Sequence, residues 1–367
     1  MEERMIKVGI THGDINGISY EVILKTFSDI RMTELCTPIL YGSSKIAAYH
    51  RKALELPPLN ISSIGRAEEA GANRVNLINC INDETKVELA KITESAGEAA
   101  FKALETAVAD LKRGTIDVLV TAPAPPLIPG SKLPAHTEYL EKTWANGRNK
   151  TFPILIDGEL RIALATGETP FRKILPEITK ENLTDKLTAF YQSLKQDFNI
   201  VRPRIAVLSL NPLHNRGINL PENEEETVLI PAMQEAEKKG MMSFGPYAAE
   251  KFFGERMYEK FDGMLAMYYD QGMTPFKTLA EKNGLYYTAG LSIVRTSPIH
   301  GTAYEIAGQN IASEDSFRQA VYTALDIFRN RQIYKESTRN PLRKQYFDKG
   351  AGDENIDLTK DEEADTL

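Results

Sequence analysis

Short apolar runs alternate along this chain with longer segments of helical periodicity, and this order constrains the fold more than any other feature. The runs IDVLVTA (116–122) and RIAVLSL (204–210) show little of the polar alternation of a half-exposed strand. Such runs are typical of strands that are buried on both faces of a parallel sheet. Residues 98–111 instead place four large apolar side chains on one helical face, and this helix is predicted to end near Gly114. The chain is therefore predicted to be an α/β protein, with helices on both faces of mainly parallel sheets.

Other segments extend this pattern along the chain. A second long helix is predicted over 314–331, with Ser313 as its cap. The passage APAPPLIPG (122–130) contains four prolines, which remove backbone donors and fix φ, so a loop or a domain crossing is expected there. The strand candidates are 6–10, 38–41, 75–78, 116–121, 153–156, 162–166, 205–210 and 263–268.

Length and composition set the class of protein. A chain of 367 residues fits two domains or one large one, and 42% hydrophobic with 26% charged residues fits a folded globular protein. No apolar run approaches the roughly 20 residues of a spanning helix, and the N-terminus lacks the apolar core of a signal peptide. A cytoplasmic location without membrane contact is expected. Cys36 and Cys80 show no CxxC spacing and are expected to be small buried hydrophobes.

The negative charge is concentrated at the C-terminus. Residues 351–367 contain seven acidic residues and one lysine, so this segment carries −6 of the net charge of −7. The segment is predicted to be a solvated, mobile tail. A nucleic-acid-binding protein needs a basic face, and no run in the sequence supplies one. Nucleic acid is therefore not expected as a partner.

Five polar clusters follow apolar runs, where the ligands of open α/β sheets bind. Together they contain four of the five histidines, which predicts a cleft. His50 lies outside them in a helical pattern, where a surface position is expected. The clusters are THGDINGIS (11–19), AHTEYL (135–140), NPLHNRG (211–217), YYDQGMTPFK (268–277) and RTSPIHGTA (295–303).

Each cluster also has a structural interpretation. THGDINGIS can simply be a tight strand-to-helix turn, and it has neither the GxGxxG nor the GxxxxGK[ST] spacing of a nucleotide site. His136 and Thr137 can bind an anion or donate protons, or they can fix a loop. Lys277 closes a presumed turn, and Arg295 precedes two hydroxyl donors, so these two cations are candidates for holding a phosphate or carboxylate.

Taken in order, these motifs resemble the 4-hydroxythreonine-4-phosphate dehydrogenase family of pyridoxal phosphate biosynthesis, over nearly the whole chain. The matching motifs are ITHGDINGI (10–18), VTAP (120–123), HTEYL (136–140), LNP (210–212), GPYAA (245–249), LAMYYDQG (265–272) and RTSPIHGTA (295–303). The resemblance implies two α/β/α domains with an interdomain cleft. The expected bounds are 1–135 plus 290–345 for the first domain, 136–289 for the second and 346–367 for the tail.

The resemblance also implies an activity. Family enzymes oxidise the secondary alcohol of 4-phosphooxy-threonine with NAD, and the 3-oxo acid then loses carbon dioxide. By resemblance, the protein would be a homodimer with a phosphorylated small-molecule substrate. His136 and Thr137 would contact that substrate, while Lys277 and Arg295 would hold its phosphate or carboxylate end.

The metal site implied by the resemblance is altered at all three of its histidine positions. The family motif TTHxP reads TGETP here, which places Glu168 at the first ligand position. NPHAG reads NPLHN, with Leu213 at the second position and His214 one residue later. YHDQG reads YYDQG, with Tyr269 at the third.

Because leucine cannot ligate and neutral tyrosine is a poor ligand, a three-histidine zinc site is not expected. Glu168, His214 and Asp270 remain as an oxygen-rich alternative for magnesium or manganese. Another family position, the asparagine of a VNxT-like stretch, is Tyr286 in LYYT.

Two functions remain open from the sequence. One is NAD-dependent oxidation, with decarboxylation, of 4-phosphooxy-threonine or a close phosphorylated hydroxy acid, with zinc, magnesium, manganese or cobalt as the possible metal. The other is a catalytically impaired paralogue that binds an anionic metabolite or a partner without turnover.

Overall fold

The computed structural model describes residues 4–82, 84–126, 133–144, 151–212, 223–280 and 282–339. The strands in these residues are β1 (Lys7–Thr11), β2 (Thr37–Gly42), β3 (Ile61–Ile64), β4 (Val75–Asn79), β5 (Val118–Thr121), β6 (Phe152–Asp157), β7 (Leu160–Leu164), β8 (Arg204–Leu208), β9 (Met242–Tyr247), β10 (Gly263–Ala266), β11 (Leu285–Ala289) and β12 (Arg295–Pro298). The α-helices are α1 (Ser19–Ser28), α2 (Arg31–Leu35), α3 (Ser44–Ala53), α4 (Glu94–Arg113), α5 (His136–Trp144), α6 (Ile174–Glu177), α7 (Lys180–Gln196), α8 (Ile230–Lys238), α9 (Ala249–Gly254), α10 (Tyr269–Leu279) and α11 (Asp315–Thr338).

All of these strands belong to a single sheet, in the order β3-β4-β2-β1-β5-β12-β11-β6-β7-β10-β8-β9. The strands from β3 to β12 are parallel to one another, and so are those from β7 to β9. Between these two parallel blocks, β12, β11, β6 and β7 pair antiparallel. The predicted α/β class is confirmed, although one continuous sheet runs through both blocks. The predicted domain bounds stay a prediction.

Helix α4 shows how the local sequence sets an element. The side chain of Thr93 accepts a hydrogen bond from the backbone N–H of Ala96 and caps the helix N-terminus. Gly114 ends the helix in the left-handed region, at a φ of 70°. Ala103, Leu104 and Ala107 are fully buried, so the apolar face of α4 packs into the core. The predicted end of this helix is confirmed.

Each of the eight predicted strands overlaps an observed one, but β3, β9, β11 and β12 were not predicted. β12 reads RTSP and has no apolar run, although its side chains from Thr296 to Pro298 are buried. Neighbouring strands on both sides supply its hydrogen bonds, so the tertiary context determines this strand rather than its own composition. Helix α11 overlaps the predicted 314–331 but begins at Asp315, and its N-cap is Glu314, so the predicted cap at Ser313 was one residue early even though the Ser313 hydroxyl accepts from the Asp315 backbone N–H.

Two expectations about single residues were wrong. His50 is buried, not at the surface, because its ring stacks on Tyr20 and its Nε2–H donates to the Ile15 carbonyl at 2.8 Å. Cys36 is buried as expected, but Cys80 is only half-buried. The predicted mobile tail (346–367) and positions 127–130 of the proline-rich passage lie outside the described residues, and 122–126 form neither helix nor strand.

A buried ionic network ties α7 and α11 to β11. Asp197, which is fully buried, accepts hydrogen bonds from Ser193, from the Tyr287 hydroxyl at 2.7 Å and from Arg331 Nε at 2.7 Å. Arg331 also donates to the Tyr287 hydroxyl and to two backbone carbonyls of the segment before β12. Since every charged atom here has a partner, the network fixes the centre of the sheet against its covering helices.

Within the described ranges, none of the helices combines the length and the apolar character that a membrane-crossing segment needs.

Candidate functional site

A cleft of about 1380 Å³ opens at the middle of the sheet, where the two parallel blocks meet. Its floor comes from the ends of β5, β7 and β12, and its walls come from α4, α5 and the loop after β7. β5 and β12 are parallel and direct their carboxyl ends to the same edge, so side chains of these two strands that are distant in sequence converge there. The volume exceeds the 300–1,000 Å³ that is typical of a pocket for one small ligand.

Arg295 is the fixed cation of this cleft. Its Nη2 and Nε donate to the Thr121 hydroxyl at 2.7 and 3.1 Å, and its Nη1 donates to the Thr288 hydroxyl at 2.9 Å. Both threonines are buried, so the guanidinium is held at the floor without a carboxylate partner among the described residues. Burial lowers the pKa of Arg295 to about 10, and the group stays charged at neutral pH. The guanidinium is therefore oriented before any anion arrives.

His136 and Thr137 begin helix α5 and line the same cleft. Burial lowers the pKa of His136 to about 3, and the charges of Arg295 and His12 lower it further in the same direction. The imidazole is therefore neutral at physiological pH and can offer one donor and one acceptor. The influence of Arg295 on His136 shows that these two predicted site residues lie within electrostatic reach of each other.

Lys277 is not among the residues that line the cleft. It is an exposed residue in the last turn of α10, and its Nζ donates to the Ile299 carbonyl at 3.4 Å. The presumed turn at this position was wrong, because 269–279 form a helix. The charge of Lys277 nevertheless lowers the pKa of His300, which lines the cleft. Lys277 therefore acts on the cleft from outside its lining.

His300 is a cleft residue that sequence reasoning did not single out. Its Nδ1 lies 3.1 Å from the Gly301 carbonyl, which can only accept, so Nδ1 carries the proton. Nε2 is then an acceptor, and it is buried with no hydrogen-bond partner among the described residues. Burial lowers the pKa of His300, with a smaller contribution from Lys277. The sequence feature that could have identified His300 was its position in the RTSPIHGTA cluster.

Two tyrosines form a hydrogen-bonded pair on another wall of the cleft. The hydroxyl of Tyr269, the first residue of α10, lies 3.2 Å from the hydroxyl of Tyr286 on β11. Both side chains are half-buried and line the cleft. Burial raises the pKa of Tyr286 well above its usual value, and the hydrogen bond with Tyr269 raises it further. Both of these residues stand where the family motifs have other residues.

The described residues do not fit a divalent metal at the altered positions. Tyr269 directs its hydroxyl to Tyr286, and Asp270 beside it is exposed in the first turn of α10. Glu168 is exposed at the cleft wall, and in the part of the chain that the structure describes no three His, Cys, Asp or Glu side chains form a metal-binding group. Leu213 and His214 lie outside the described residues.

The cluster THGDINGIS forms a tight turn between β1 and α1, and its residues do not line the cleft. Gly13 has a φ of 65°, and a Cβ there would lie 2.3 Å from the Pro123 carbonyl oxygen, so only glycine fits. Asp14 accepts hydrogen bonds from the Asn16 backbone N–H and from the Tyr304 hydroxyl. Of the two interpretations of this cluster, the turn is the one that this geometry favours.

The segment just after β8 is held by two sets of side-chain hydrogen bonds, those of Asn211 to two glutamates and those of Gln271, at the start of α10, to Ser209 and Met267. Asn211 Nδ2 donates to Glu224 and Glu225 at 2.8 and 2.9 Å. Gln271 Nε2 donates to the Ser209 carbonyl, and Gln271 Oε1 accepts from the Met267 backbone N–H, both at 2.7 Å. These bonds hold the ends of β8 and β10 in register, so the DQG motif positions the helix that carries Tyr269.

The fold and the cleft together define an α/β protein whose central cleft, in a mostly parallel sheet, carries two histidines and one fixed arginine. A sequence profile of the family "Pyridoxal phosphate biosynthetic protein PdxA" matches residues 34–324. A 4-hydroxythreonine-4-phosphate dehydrogenase of Bacteroides thetaiotaomicron is 54% identical over 99% of this chain and 100% of its own length. A D-threonate 4-phosphate dehydrogenase of Cupriavidus necator is 31% identical over 89% of this chain and 98% of its own length.

A solved structure agrees with the fold. The crystal structure of a 4-hydroxythreonine-4-phosphate dehydrogenase from Klebsiella pneumoniae superposes with a TM-score of 0.76 at 24% identity, over 89% of this chain and 99% of that one. The chain belongs to the PdxA family, a family of dehydrogenases of pyridoxal phosphate biosynthesis. The resemblance inferred from the sequence motifs is confirmed.

Proposed function

We propose that this protein oxidises 4-phosphooxy-threonine, or a close phosphorylated hydroxy acid, with NAD and then decarboxylates the product, as a step of pyridoxal phosphate biosynthesis. The observation that carries this proposal is the fixed Arg295 guanidinium, which lies in one cleft with His136 and Thr137. A planar cation with outward donors is suited to a phosphate or carboxylate, which it grips through two hydrogen bonds. The names of two relatives, a 4-hydroxythreonine-4-phosphate dehydrogenase and a D-threonate 4-phosphate dehydrogenase, support a phosphorylated substrate.

In the proposed reaction the C3–H bond breaks and its hydride goes to the nicotinamide of NAD, while the C3 hydroxyl loses its proton and becomes a ketone. We assign the acceptor of that proton to His300, a residue of the cleft lining whose buried Nε2 has no hydrogen-bond partner among the described residues. The C1–C2 bond then breaks, carbon dioxide leaves, and C2 takes up a proton to give an aminoketone phosphate. Neutral His136 and Thr137 orient the substrate by hydrogen bonds.

The size of the cleft supports a second molecule beside the substrate. Its volume of about 1380 Å³ is more than one small ligand occupies, and polar groups of α5 and α7 also line it. This part of the cleft is where we place the dinucleotide, although the chain has no glycine-rich fingerprint. We extend the proposal to a cytoplasmic location and to a homodimer. Light scattering of the purified protein tests the homodimer.

A second candidate is favoured by the altered metal positions. Since Glu168 and Tyr269 stand where the family motifs have histidines, the protein can instead be an impaired paralogue that binds an anionic metabolite or a partner without turnover. The two candidates share the anion site and differ in whether the bound molecule is oxidised.

The test is the formation of NADH, followed at 340 nm, when the purified protein receives NAD and 4-phosphooxy-threonine. D-threonate 4-phosphate is assayed in parallel, because it carries a hydroxyl where 4-phosphooxy-threonine carries the C2 amine. Each assay is run after chelation and again with zinc, magnesium, manganese or cobalt. Turnover in any of these conditions supports the dehydrogenase. Binding by calorimetry without turnover in all of them supports the impaired paralogue.

A further inference from the structure

Two departures from the family motifs, far apart in sequence, contact each other in space. Tyr269 stands at a family metal-ligand position and Tyr286 at a family asparagine position, and their hydroxyls are 3.2 Å apart. A family metal-ligand position and a family asparagine position thus carry two groups that bond to each other. This hydrogen bond explains both replacements together, because each tyrosine hydroxyl is the hydrogen-bond partner of the other.

The neighbourhood of this pair is the anion end of the cleft. Along β11 the side chains alternate, so Tyr286 and Thr288 share the face that is opposite to Tyr287. Thr288 accepts the hydrogen bond from Arg295 Nη1 at 2.9 Å, and the charge of Arg295 acts on Tyr286. Tyr287 instead points into the core and bonds to Asp197. The tyrosine pair and the guanidinium therefore line the same part of the cleft.

A pair of hydroxyls has one donor to spare. When the Tyr269 hydroxyl donates to the Tyr286 oxygen, the Tyr286 hydroxyl is left to donate into the cleft, and the first bond strengthens the second. Because burial raises the pKa of Tyr286, its hydroxyl stays protonated and acts as a donor and not as a base. An oxygen that gains negative charge during a reaction is the acceptor that such a donor stabilises most.

We propose that the Tyr269–Tyr286 pair takes the place of the divalent metal, by donating a hydrogen bond from Tyr286 to the C3 oxygen of the substrate. This inference rests on the proposed function, since it concerns the same bound molecule. Tyr286 touches the substrate, and Tyr269 is a positioning residue that orients and polarises Tyr286. The chemistry at this centre then requires no bound metal ion.

The experiment compares wild type, Tyr286→Phe and Tyr269→Phe after dialysis against a chelator, with the metal content checked by elemental analysis. Tyr322→Phe on α11, outside the cleft lining, is the matched control. We expect chelated wild type to retain its turnover and Tyr286→Phe to lower kcat at least about tenfold, the loss of one hydrogen bond to a charged group, with little change in KM. Tyr269→Phe has a smaller effect of the same kind, and Tyr322→Phe has none.

Calorimetry of the chelated proteins with 4-phosphooxy-threonine separates this inference from the proposed function. The inference is overturned if chelation abolishes turnover, zinc restores it, and neither Tyr286→Phe nor Tyr269→Phe changes it. The proposed dehydrogenase activity would still hold in that case. If no turnover is seen, but Tyr286→Phe weakens binding and Tyr322→Phe does not, the proposed dehydrogenase activity is rejected. The proposed hydrogen bond from Tyr286 to the bound molecule is then retained. Binding that neither cleft variant changes, in a protein without turnover, overturns both.

Discussion

The hydroxyls of Tyr269 and Tyr286 lie 3.2 Å apart, on the helix that follows β10 and on the strand that follows that helix. Neither residue is informative alone, since tyrosine at a ligand position merely indicates that a ligand is missing. The contact between them is informative, because it shows that the two replaced residues form one hydrogen-bonded pair in the cleft.

Restoring the three histidines tests whether the backbone of the family metal site is kept. The triple variant Glu168→His, Leu213→His and Tyr269→His is expected to raise zinc affinity by at least about 100-fold, since a neutral imidazole is a far better zinc ligand than leucine or a protonated phenol. Titration against a zinc indicator measures this. The single variant Tyr269→His is the control and should gain little. An unchanged affinity in the triple variant would mean that the loops have moved.

Replacing the fixed cation tests the anion site. Arg295→Lys is expected to weaken 4-phosphooxy-threonine binding by about tenfold or more, because an ammonium cannot reproduce the planar grip or the three bonds to Thr121 and Thr288. Calorimetry gives the dissociation constant. Arg318→Lys, on α11 and outside the cleft lining, should leave it unchanged. Equal affinity in both variants would remove Arg295 from the site.

The assigned proton acceptor has its own test. His300→Asn is expected to lower kcat by about 100-fold, within the usual contribution of a general base, while substrate affinity changes by less than about threefold. Steady-state rates and calorimetry separate the two quantities. A variant that keeps the wild-type kcat would show that the proton leaves by another group.

The buried pair of Asp197 and Arg331 is predicted to dominate local stability. Arg331→Leu leaves a fully buried carboxylate without its cation, and the free energy of unfolding should fall by about 3–5 kcal/mol. Urea unfolding measures the loss. The control is Arg329→Leu on the same helix, whose pair with Asp326 is exposed and should contribute no more than about 1 kcal/mol. Similar losses in both variants would contradict the assigned role.

The two histidines that flank Tyr20 predict acid sensitivity. Burial lowers the pKa of His12 and of His50 from 6.5 to about 4. Below pH 6.5 the unfolded chain therefore binds more protons than the folded one, so stability falls as the pH falls towards 4 and this contribution levels off below it. Each group contributes at most about 1.4 kcal/mol per pH unit in this window.

Urea unfolding at several pH values between 4 and 7 measures this slope. His50→Gln keeps a donor for the Ile15 carbonyl but does not titrate, so its slope should be shallower than that of wild type. Parallel slopes in the two proteins would mean that His50 is already accessible to protons in the folded state.

Part of the candidate site could be predicted from the sequence. Arg295, His136 and Thr137 were singled out by cluster and resemblance, and the structure places all three on one cleft. Lys277 was chosen by the same reasoning but lies outside the lining, because a helix and not a turn carries it away from the strand end. His300 was passed over, since its unpartnered Nε2 exists only in the folded arrangement.

The sequence by itself determined the α/β class, eight of the strands and the ends of helices such as α4, because apolar runs, caps and a left-handed glycine act over a few neighbouring residues. Only the tertiary structure decided that β11 and β6 join the two parallel blocks into one sheet, since a strand's own residues do not specify which strands it pairs with. It also decided that Tyr269 meets Tyr286 and that Arg295 is held by Thr121 and Thr288. These contacts connect residues on different strands and helices, and the distance between such residues is set by packing and not by their order in the chain.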